Sequence, residues 1–218
     1  MIRAAQPLRA VVSDFGGVLT APLLEGFALV QEDTGVPPRA FGEALARAGE
    51  PNPLFALEVG AITEAEFIAA LERELEPILG RTVDLHGFAG RYMGSLAAND
   101  ALFDYYRGLH ARGIRLAICT NNVREWEPHW RPLLPIDEIF ETVVDSGFVG
   151  VRKPDPAIYA LVLDRLGLPA ADCVFVDDLP GNLKPARALG MGTVVHHGDA
   201  AATLGEAGEL LGVSLSPR

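Results

Sequence analysis

Cysteine is scarce in this sequence, with only Cys119 and Cys173 among its 218 residues. Two cysteines so far apart in the chain are too few for a zinc site. Each lies inside an apolar run typical of a β-strand, so we expect two small buried hydrophobic residues. In a reducing compartment we expect no disulfide between them.

Positive charge is also in deficit. The chain has 18 Lys and Arg against 29 Asp and Glu, which gives a formal net charge of -11 at pH 7. Nucleic acids and anionic membranes are bound by clustered cations, so we expect neither of them as a partner. A small phosphorylated molecule remains compatible with this acidity, because one lysine and one metal ion can hold an anion locally.

Long apolar runs are absent as well. Although 49% of the residues are apolar, no stretch approaches the roughly 20 residues needed to span a bilayer. The first seven residues lack the apolar block of a signal peptide. We therefore expect a soluble, cytoplasmic protein whose length suits one α/β domain with a smaller insertion.

Five short apolar runs predict β-strands, and helical patterns lie between them. The predicted strands cover residues 10–13, 115–119, 142–144, 173–176 and 193–195. This alternation is typical of βαβ units, so we expect an α/β fold with a Rossmann-like parallel sheet. Ligands of such sheets bind beyond the carboxyl ends of the strands. Asp14, Thr120 and the adjacent pair Asp177 and Asp178 all follow or end predicted strands.

Strand signals are lacking between residues 21 and 98, where the patterns are helical. Thr63 and Glu66 have the spacing of a capping box ahead of a helix. We expect this helix to run to about Leu75, where Pro77 and Gly80 end it. The pattern therefore predicts an all-α segment.

The position of this helical segment predicts its role. We interpret residues 21–98 as an inserted all-α cap, and residues 1–20 and 99–218 as the Rossmann-like core. Because the insertion leaves the core just after Asp14, the cap would cover the crevice at the strand ends as a lid.

Four short segments carry the chemistry of the chain. They are residues 14–19 (DFGGVL), 118–121 (ICTN), 153–156 (KPDP) and 174–182 (VFVDDLPGN). In this order they resemble the four motifs of the haloacid dehalogenase (HAD) superfamily, in its branch with a helical cap after the first strand. The run 177–191 is especially similar to the N-terminal phosphatase domain of soluble epoxide hydrolases. The resemblance covers nearly the whole chain.

The resemblance implies catalytic roles for several residues. Asp14 would be the nucleophile, whose carboxylate attacks phosphorus and forms an aspartyl-phosphate. Lys153 would neutralise charge between Asp14 and the phosphate. Thr120 and Asn121 would hydrogen-bond the transferring phosphoryl group through the hydroxyl and nearby backbone N–H groups.

The implied cofactor is Mg²⁺. Its ligands would be Asp14, the backbone carbonyl of Gly16 and Asp178, with Asp177 and Asn182 in support. We choose Asp178 rather than Asp177 as the direct ligand because Asn182 lies one helical turn after Asp178. Mg²⁺ prefers hard oxygen ligands and keeps several waters, so one or two carboxylates and a substrate phosphate suffice.

A second aspartate is missing two positions after Asp14. In phosphatases of the family this residue protonates the leaving oxygen and then activates water, and such a general acid/base contributes ~10²–10⁴ in rate. Gly16 stands there instead. It retains a carbonyl for a metal ion but has no side chain to move a proton.

Three hypotheses follow from this departure. The first, which we prefer, is a Mg²⁺-dependent phosphatase of small metabolites that favours activated leaving groups, such as sugar 1-phosphates, acyl phosphates and aryl phosphates. The second is a 2-haloacid dehalogenase-like enzyme, because halide leaves without a proton; the Asp177 and Asp178 pair argues against it. The third is a non-catalytic module that binds a phosphate ligand or a protein; the retained Asp14 argues against it.

Overall fold

The structure is a computed structural model that describes residues 8–22 and 31–212. Its centre is a five-stranded, fully parallel sheet with the strand order β3-β2-β1-β4-β5. The strands are β1 Ala10–Ser13, β2 Arg115–Thr120, β3 Thr142–Asp145, β4 Cys173–Asp177 and β5 Gly192–Val195. The predicted Rossmann-like α/β core is thus confirmed, with strand ends within one residue of those expected.

The helices cover both faces of this sheet and fill the segment after β1. They are α1 Pro38–Arg47, α2 Pro53–Glu58, α3 Glu64–Leu79, α4 Phe88–Gly94, α5 Asp100–His110, α6 Glu127–Trp130, α7 Ser146–Val149, α8 Pro156–Leu166, α9 Pro180–Ala188 and α10 Ala200–Leu211. No helix in the described part of the chain is long and apolar enough to cross a membrane.

Alternating residues of the strands face two separate hydrophobic clusters, one on each side of the sheet. In β1, Val11 joins the cluster that also contains the α1–α4 side chains, whereas Val12 joins the cluster beneath α8 and α9. A parallel sheet covered on both faces needs near-continuous apolar strands. Cys119 and Cys173 lie in β2 and β4 as fully buried free thiols, as predicted.

Helix α3 begins as predicted but ends later. Thr63 and Glu66 form a complete capping box, with each side chain bonded to the other's backbone N–H. The predicted end near Leu75 is wrong, because the helix continues through Pro77 to Leu79. A proline in the last turn removes only one helical hydrogen bond, and the two residues after it pack against the hydrophobic cluster.

The two chain segments that link the helical segment to the sheet lie side by side. Thr20 pairs with Ala98 in an isolated antiparallel bridge, and the Asn99 side chain donates to the carbonyl of Val18 at 2.9 Å. Between Thr20 and Ala98, the described residues 31–97 contain helices and no strand. The division into a cap of residues 21–98 and a core of residues 1–20 and 99–218 stays a prediction.

Candidate active site

The carboxyl ends of three neighbouring strands place the predicted residues in one crevice. Asp14 follows the central strand β1 and is held to β4 by a 2.8 Å bond from its N–H to the carbonyl of Val176. Thr120 ends β2 on one side, and Asp177 ends β4 on the other. Because β1 lies between β2 and β4, residues distant in sequence become neighbours.

Lys153 is the buried cation of this crevice. It is 1% exposed, and its Nζ lies 2.7 Å from both Asp14 Oδ2 and Asp177 Oδ2. Burial alone would lower the pKa of Lys153, but the charges of Asp14 and Asp177 outweigh burial and raise it. The lysine therefore holds a fixed positive charge between two carboxylates.

Asn121 holds the backbone of Lys153 in place. Its Oδ1 accepts from the Lys153 N–H at 2.7 Å, and its Nδ2 donates to the Lys153 carbonyl at 3.0 Å. Both ends of the amide are thus engaged with one residue. We predicted a phosphate contact near Asn121; the structure gives its side chain a positioning role and leaves any such contact to backbone N–H groups.

Asn182 supports Asp177 rather than Asp178. Its Nδ2 lies 3.0 and 3.1 Å from the two Asp177 carboxylate oxygens, and Asp177 Oδ1 also accepts from the N–H of Leu179 at 2.8 Å. The choice of Asp178 as the direct metal ligand, made from the four-residue spacing to Asn182, stays a prediction. With Lys153 on Oδ2, the fully buried Asp177 carboxylate is held on every side.

Three carboxylates meet beside this lysine. Oxygens of Asp14, Asp177 and Asp178 all lie within 4.8 Å of one another. Burial raises the pKa of Asp14 to about 7, with Lys153 opposing the rise. Burial and the neighbouring Asp177 raise the pKa of Asp178. One lysine does not balance three carboxylates, and oxygen ligands at this spacing suit a hard divalent cation such as Mg²⁺.

Gly17 makes room for the outermost of these carboxylates. It has a φ of 75°, and a Cβ there would lie 2.5 Å from Asp178 Oδ2. Its N–H donates to Thr20 Oγ1 at 3.1 Å, which fixes the turn. A side chain at position 17 would displace the Asp178 carboxylate, so this glycine is part of the candidate metal centre.

Replacing Gly17 by Ala should weaken Mg²⁺ binding about tenfold, because Asp178 must move away from the other carboxylates. The matched control is Gly150→Ala, since Gly150 also has a φ of 75° but no atom within 4 Å of the position that a Cβ would take. Both variants should lose about 1–2 kcal/mol of stability from left-handed backbone strain. A Mg²⁺ titration monitored through the unfolding temperature would distinguish the two variants. Equal Mg²⁺ affinities would contradict the role of Gly17.

A cavity of about 180 Å³ lies between helices α1–α4 and the ends of β1 and β2. It reaches the crevice through Gly16, Thr120 and Asn121. The other described residues that line it are mostly apolar: Phe15, Thr20, Phe41, Leu45, Leu54, Glu58, Phe67, Leu71, Phe88, Tyr92, Met93, Leu96, Asn122, Val123 and Trp126.

The ion pair of Glu58 with Arg152 connects the helical segment to the loop that carries Lys153. Glu58, at the end of α2, lines the cavity and accepts from Arg152 Nε at 2.5 Å. Burial raises the pKa of Glu58, while Arg152 opposes the rise. The Arg152 guanidinium also lies 4.0 Å from the centre of the Phe55 ring. We did not predict this contact, since its only sequence signal is that Arg152 precedes Lys153.

The order of these residues along the chain matches a known family. The model of the haloacid dehalogenase-like hydrolases matches residues 8–190. The chain belongs to this family. It is therefore a HAD-like hydrolase. Three of the four motifs that carried the resemblance lie at the carboxyl ends of β1, β2 and β4, and the segment 153–156 leads into α8.

Two curated relatives agree with this membership. The chain is 31% identical over 190 residues to acyl-CoA dehydrogenase family member 10 of Mus musculus, covering 85% of this chain and 18% of the relative. It is 27% identical over 230 residues to bifunctional epoxide hydrolase 2 of Sus scrofa, covering 95% of this chain and 40% of the relative. The second match confirms the predicted likeness to epoxide hydrolases. The chain thus spans less than half the length of either relative.

Solved structures of similar fold include more than one kind of HAD enzyme. A HAD family enzyme from Bacteroides thetaiotaomicron, in complex with magnesium and inorganic phosphate, has a TM-score of 0.62 at 20% identity, covering 86% of this chain and 93% of its own. An L-2-haloacid dehalogenase has a TM-score of 0.65 at 24% identity, covering 88% and 87%. These similarities support the fold. The type of reaction has to be inferred from the residues of the site.

Proposed function

We propose that the protein is a Mg²⁺-dependent phosphatase of small phosphorylated molecules. The observation that supports this most is the crevice in which Lys153 Nζ lies 2.7 Å from Asp14 Oδ2 while Asp14, Asp177 and Asp178 converge. A nucleophilic carboxylate, a fixed cation and a set of hard oxygen ligands are the parts that phosphoryl transfer requires.

In this proposal Asp14 attacks phosphorus. A bond forms between a carboxylate oxygen and phosphorus, and the bond from phosphorus to the leaving oxygen breaks with its electron pair on that oxygen. The Asp14 N–H bond to Val176 and the Phe15 N–H bond to Asp14 Oδ1 at 2.7 Å hold the carboxylate in place, and leave Oδ2 facing Lys153. Water then hydrolyses the aspartyl-phosphate and releases inorganic phosphate.

Lys153 favours the ionised form of Asp14 and offsets the charge of the incoming phosphate. At ~4 Å and an effective dielectric constant near 20, one such ion pair is worth about 4 kcal/mol before desolvation. Asn121 fixes the loop that carries Lys153, and Asp177 orients its ammonium group. Thr120 lies buried at the end of β2, the strand next to β1, where its hydroxyl would bond a phosphoryl oxygen.

Mg²⁺ would be held by Asp14, Asp178 and the carbonyl of Gly16, with Asp177 behind them. When bound, it would offset the charge of the carboxylates and of the phosphate. The raised pKa of Asp14, about 7 from burial, is consistent with a site built for a further cation beside Lys153.

Gly16 shapes the range of substrates. Without a side chain to protonate the leaving oxygen, the site favours leaving groups that depart as stable anions. Acyl and aryl phosphates meet this condition better than simple alkyl phosphates.

The dehalogenase alternative is the weaker proposal for this chain. Halide also departs without a proton, so Gly16 alone does not distinguish the two reactions. The adjacent carboxylates of buried Asp177 and half-buried Asp178 do, because displacing a halide with Asp14 needs no metal ion to offset a phosphate.

The proposal is tested by incubating the protein with acetyl phosphate, phenyl phosphate, glycerol 3-phosphate and 2-chloropropionate. We expect Mg²⁺-dependent phosphate release from the first two and at least about tenfold slower release from glycerol 3-phosphate. EDTA should abolish the release. Chloride release that persists in EDTA would favour the dehalogenase, and no turnover of any substrate would favour a binding module.

A further inference from the structure

We infer that the cavity beside Gly16 binds the non-phosphate part of the substrate, and that this part is apolar and about the size of one aromatic ring. This inference rests on the proposed function and narrows its substrate class. It selects aryl phosphates from the activated esters and disfavours sugar 1-phosphates.

The position of the cavity supports this role. Gly16, Thr120 and Asn121 line it, and the same residues flank Asp14 at the ends of β1 and β2. A phosphate held against Asp14 would therefore project its ester group toward the cavity. The absence of a side chain at Gly16 leaves this passage open.

The lining of the cavity disfavours a polyol. Among the described residues that line it, aromatic and aliphatic side chains form most of the wall. Trp126 Nε1 is a buried donor without a hydrogen-bond partner among the described residues, but other polar side chains of the wall already have partners. Thr20 Oγ1 accepts from Gly17 and donates to the carbonyl of Ala21 at 3.0 Å, and the Asn121 amide is bonded to Lys153.

The one charged residue among the described residues that line the cavity, Glu58, also has a partner. Glu58 is paired with Arg152 at 2.5 Å, and both side chains are largely buried. A sugar in this cavity would leave several hydroxyl groups without partners, and each such group carries a desolvation cost. An apolar ring would bury its surface without that cost.

The size of the cavity sets the upper limit. An apolar protein cavity of about 150 Å³ accommodates benzene, and this cavity measures about 180 Å³. Aromatic residues on its wall, such as Phe15 and Trp126, suit contacts with the edge or face of a ring. A single substituted ring therefore fits this space.

Binding of two non-hydrolysable phosphonates tests the inference without turnover. With Mg²⁺ present, isothermal titration calorimetry should give phenylphosphonate an affinity about tenfold or more above methylphosphonate, a difference of about 1.4 kcal/mol. Equal affinities in the wild-type protein would overturn the inference.

Cavity-filling variants locate the effect. Leu54→Trp and, as a second variant, Leu45→Trp add bulk at two partly buried lining positions. Either should reduce the preference for phenylphosphonate below about threefold while leaving methylphosphonate affinity unchanged. The control Leu189→Trp lies at an exposed position away from the cavity and should keep the preference. Circular dichroism would show whether each filled variant remains folded. If both folded variants keep the preference for phenylphosphonate, the ring binds elsewhere and the inference is overturned.

Acetyl phosphate separates this inference from the proposed function. If acetyl phosphate is hydrolysed but phenylphosphonate shows no preference, the cavity assignment alone fails. If the preference and its loss in the filled variants are found without hydrolysis of any phosphate ester, the proposed function fails and the cavity assignment stands.

Discussion

Replacing Asp14 by Asn should lower the turnover of acetyl phosphate and phenyl phosphate by about 10³-fold or more, because an amide cannot form the aspartyl-phosphate. The variant should fold normally. Lys153 keeps its 2.7 Å contact with Asp177, and loss of one of three close carboxylates relieves repulsion in the metal-free protein. Steady-state phosphate release with saturating Mg²⁺, together with the unfolding temperature, measures both effects.

A matched substitution controls for the loss of one negative charge. Asp104→Asn changes a side chain that is 73% exposed on α5 and should leave turnover within about twofold of the wild type, since surface substitutions have small effects. If beryllofluoride traps the wild-type protein but not the Asp14 variant, Asp14 is the residue that accepts the phosphoryl group. Turnover that survives Asp14→Asn would rule out the proposed mechanism.

The sheet and its crevice were predictable because they depend on local patterns. Short apolar runs with polar residues at their carboxyl ends placed Asp14, Thr120 and Asp177 at strand ends, and parallel topology brought these ends together. The capping box at Thr63 was predictable for the same reason, as it involves residues three positions apart.

The remaining contacts depend on tertiary packing, which sequence spacing does not encode. Asn182 was expected to support Asp178 from helical spacing, yet the turn before α9 directs its amide to Asp177. Pro77 was expected to end α3, yet burial of the following turn maintains the helix. Glu58 and Arg152 meet only because the helical segment folds back onto the loop that carries Lys153.

Position 16 offers the strongest test of how the missing proton donor limits the reaction. Replacing Gly16 by Asp should raise the turnover of glycerol 3-phosphate and other alkyl phosphates by ~10²–10⁴, which is the usual contribution of a placed general acid/base. Gly16 is not among the residues with positive φ, so its backbone conformation does not require glycine. It also lies where the crevice meets the cavity, which is where a leaving oxygen would stand.

The variant Gly16→Asn distinguishes proton transfer from the mere presence of a side chain. Asn matches Asp in size but neither donates a carboxylic proton nor acts as a base, so alkyl phosphate turnover should stay near the wild-type value. Both variants narrow the passage to the cavity and should weaken phenylphosphonate binding to a similar extent. If Asn raises alkyl phosphate turnover as much as Asp, or if Asp raises acetyl phosphate turnover equally, proton transfer at position 16 does not limit the reaction. An increase confined to Asp and to poor leaving groups would mean that Gly16 sets substrate range through two effects of one absent side chain: no proton for the leaving oxygen, and an open passage for an apolar ring.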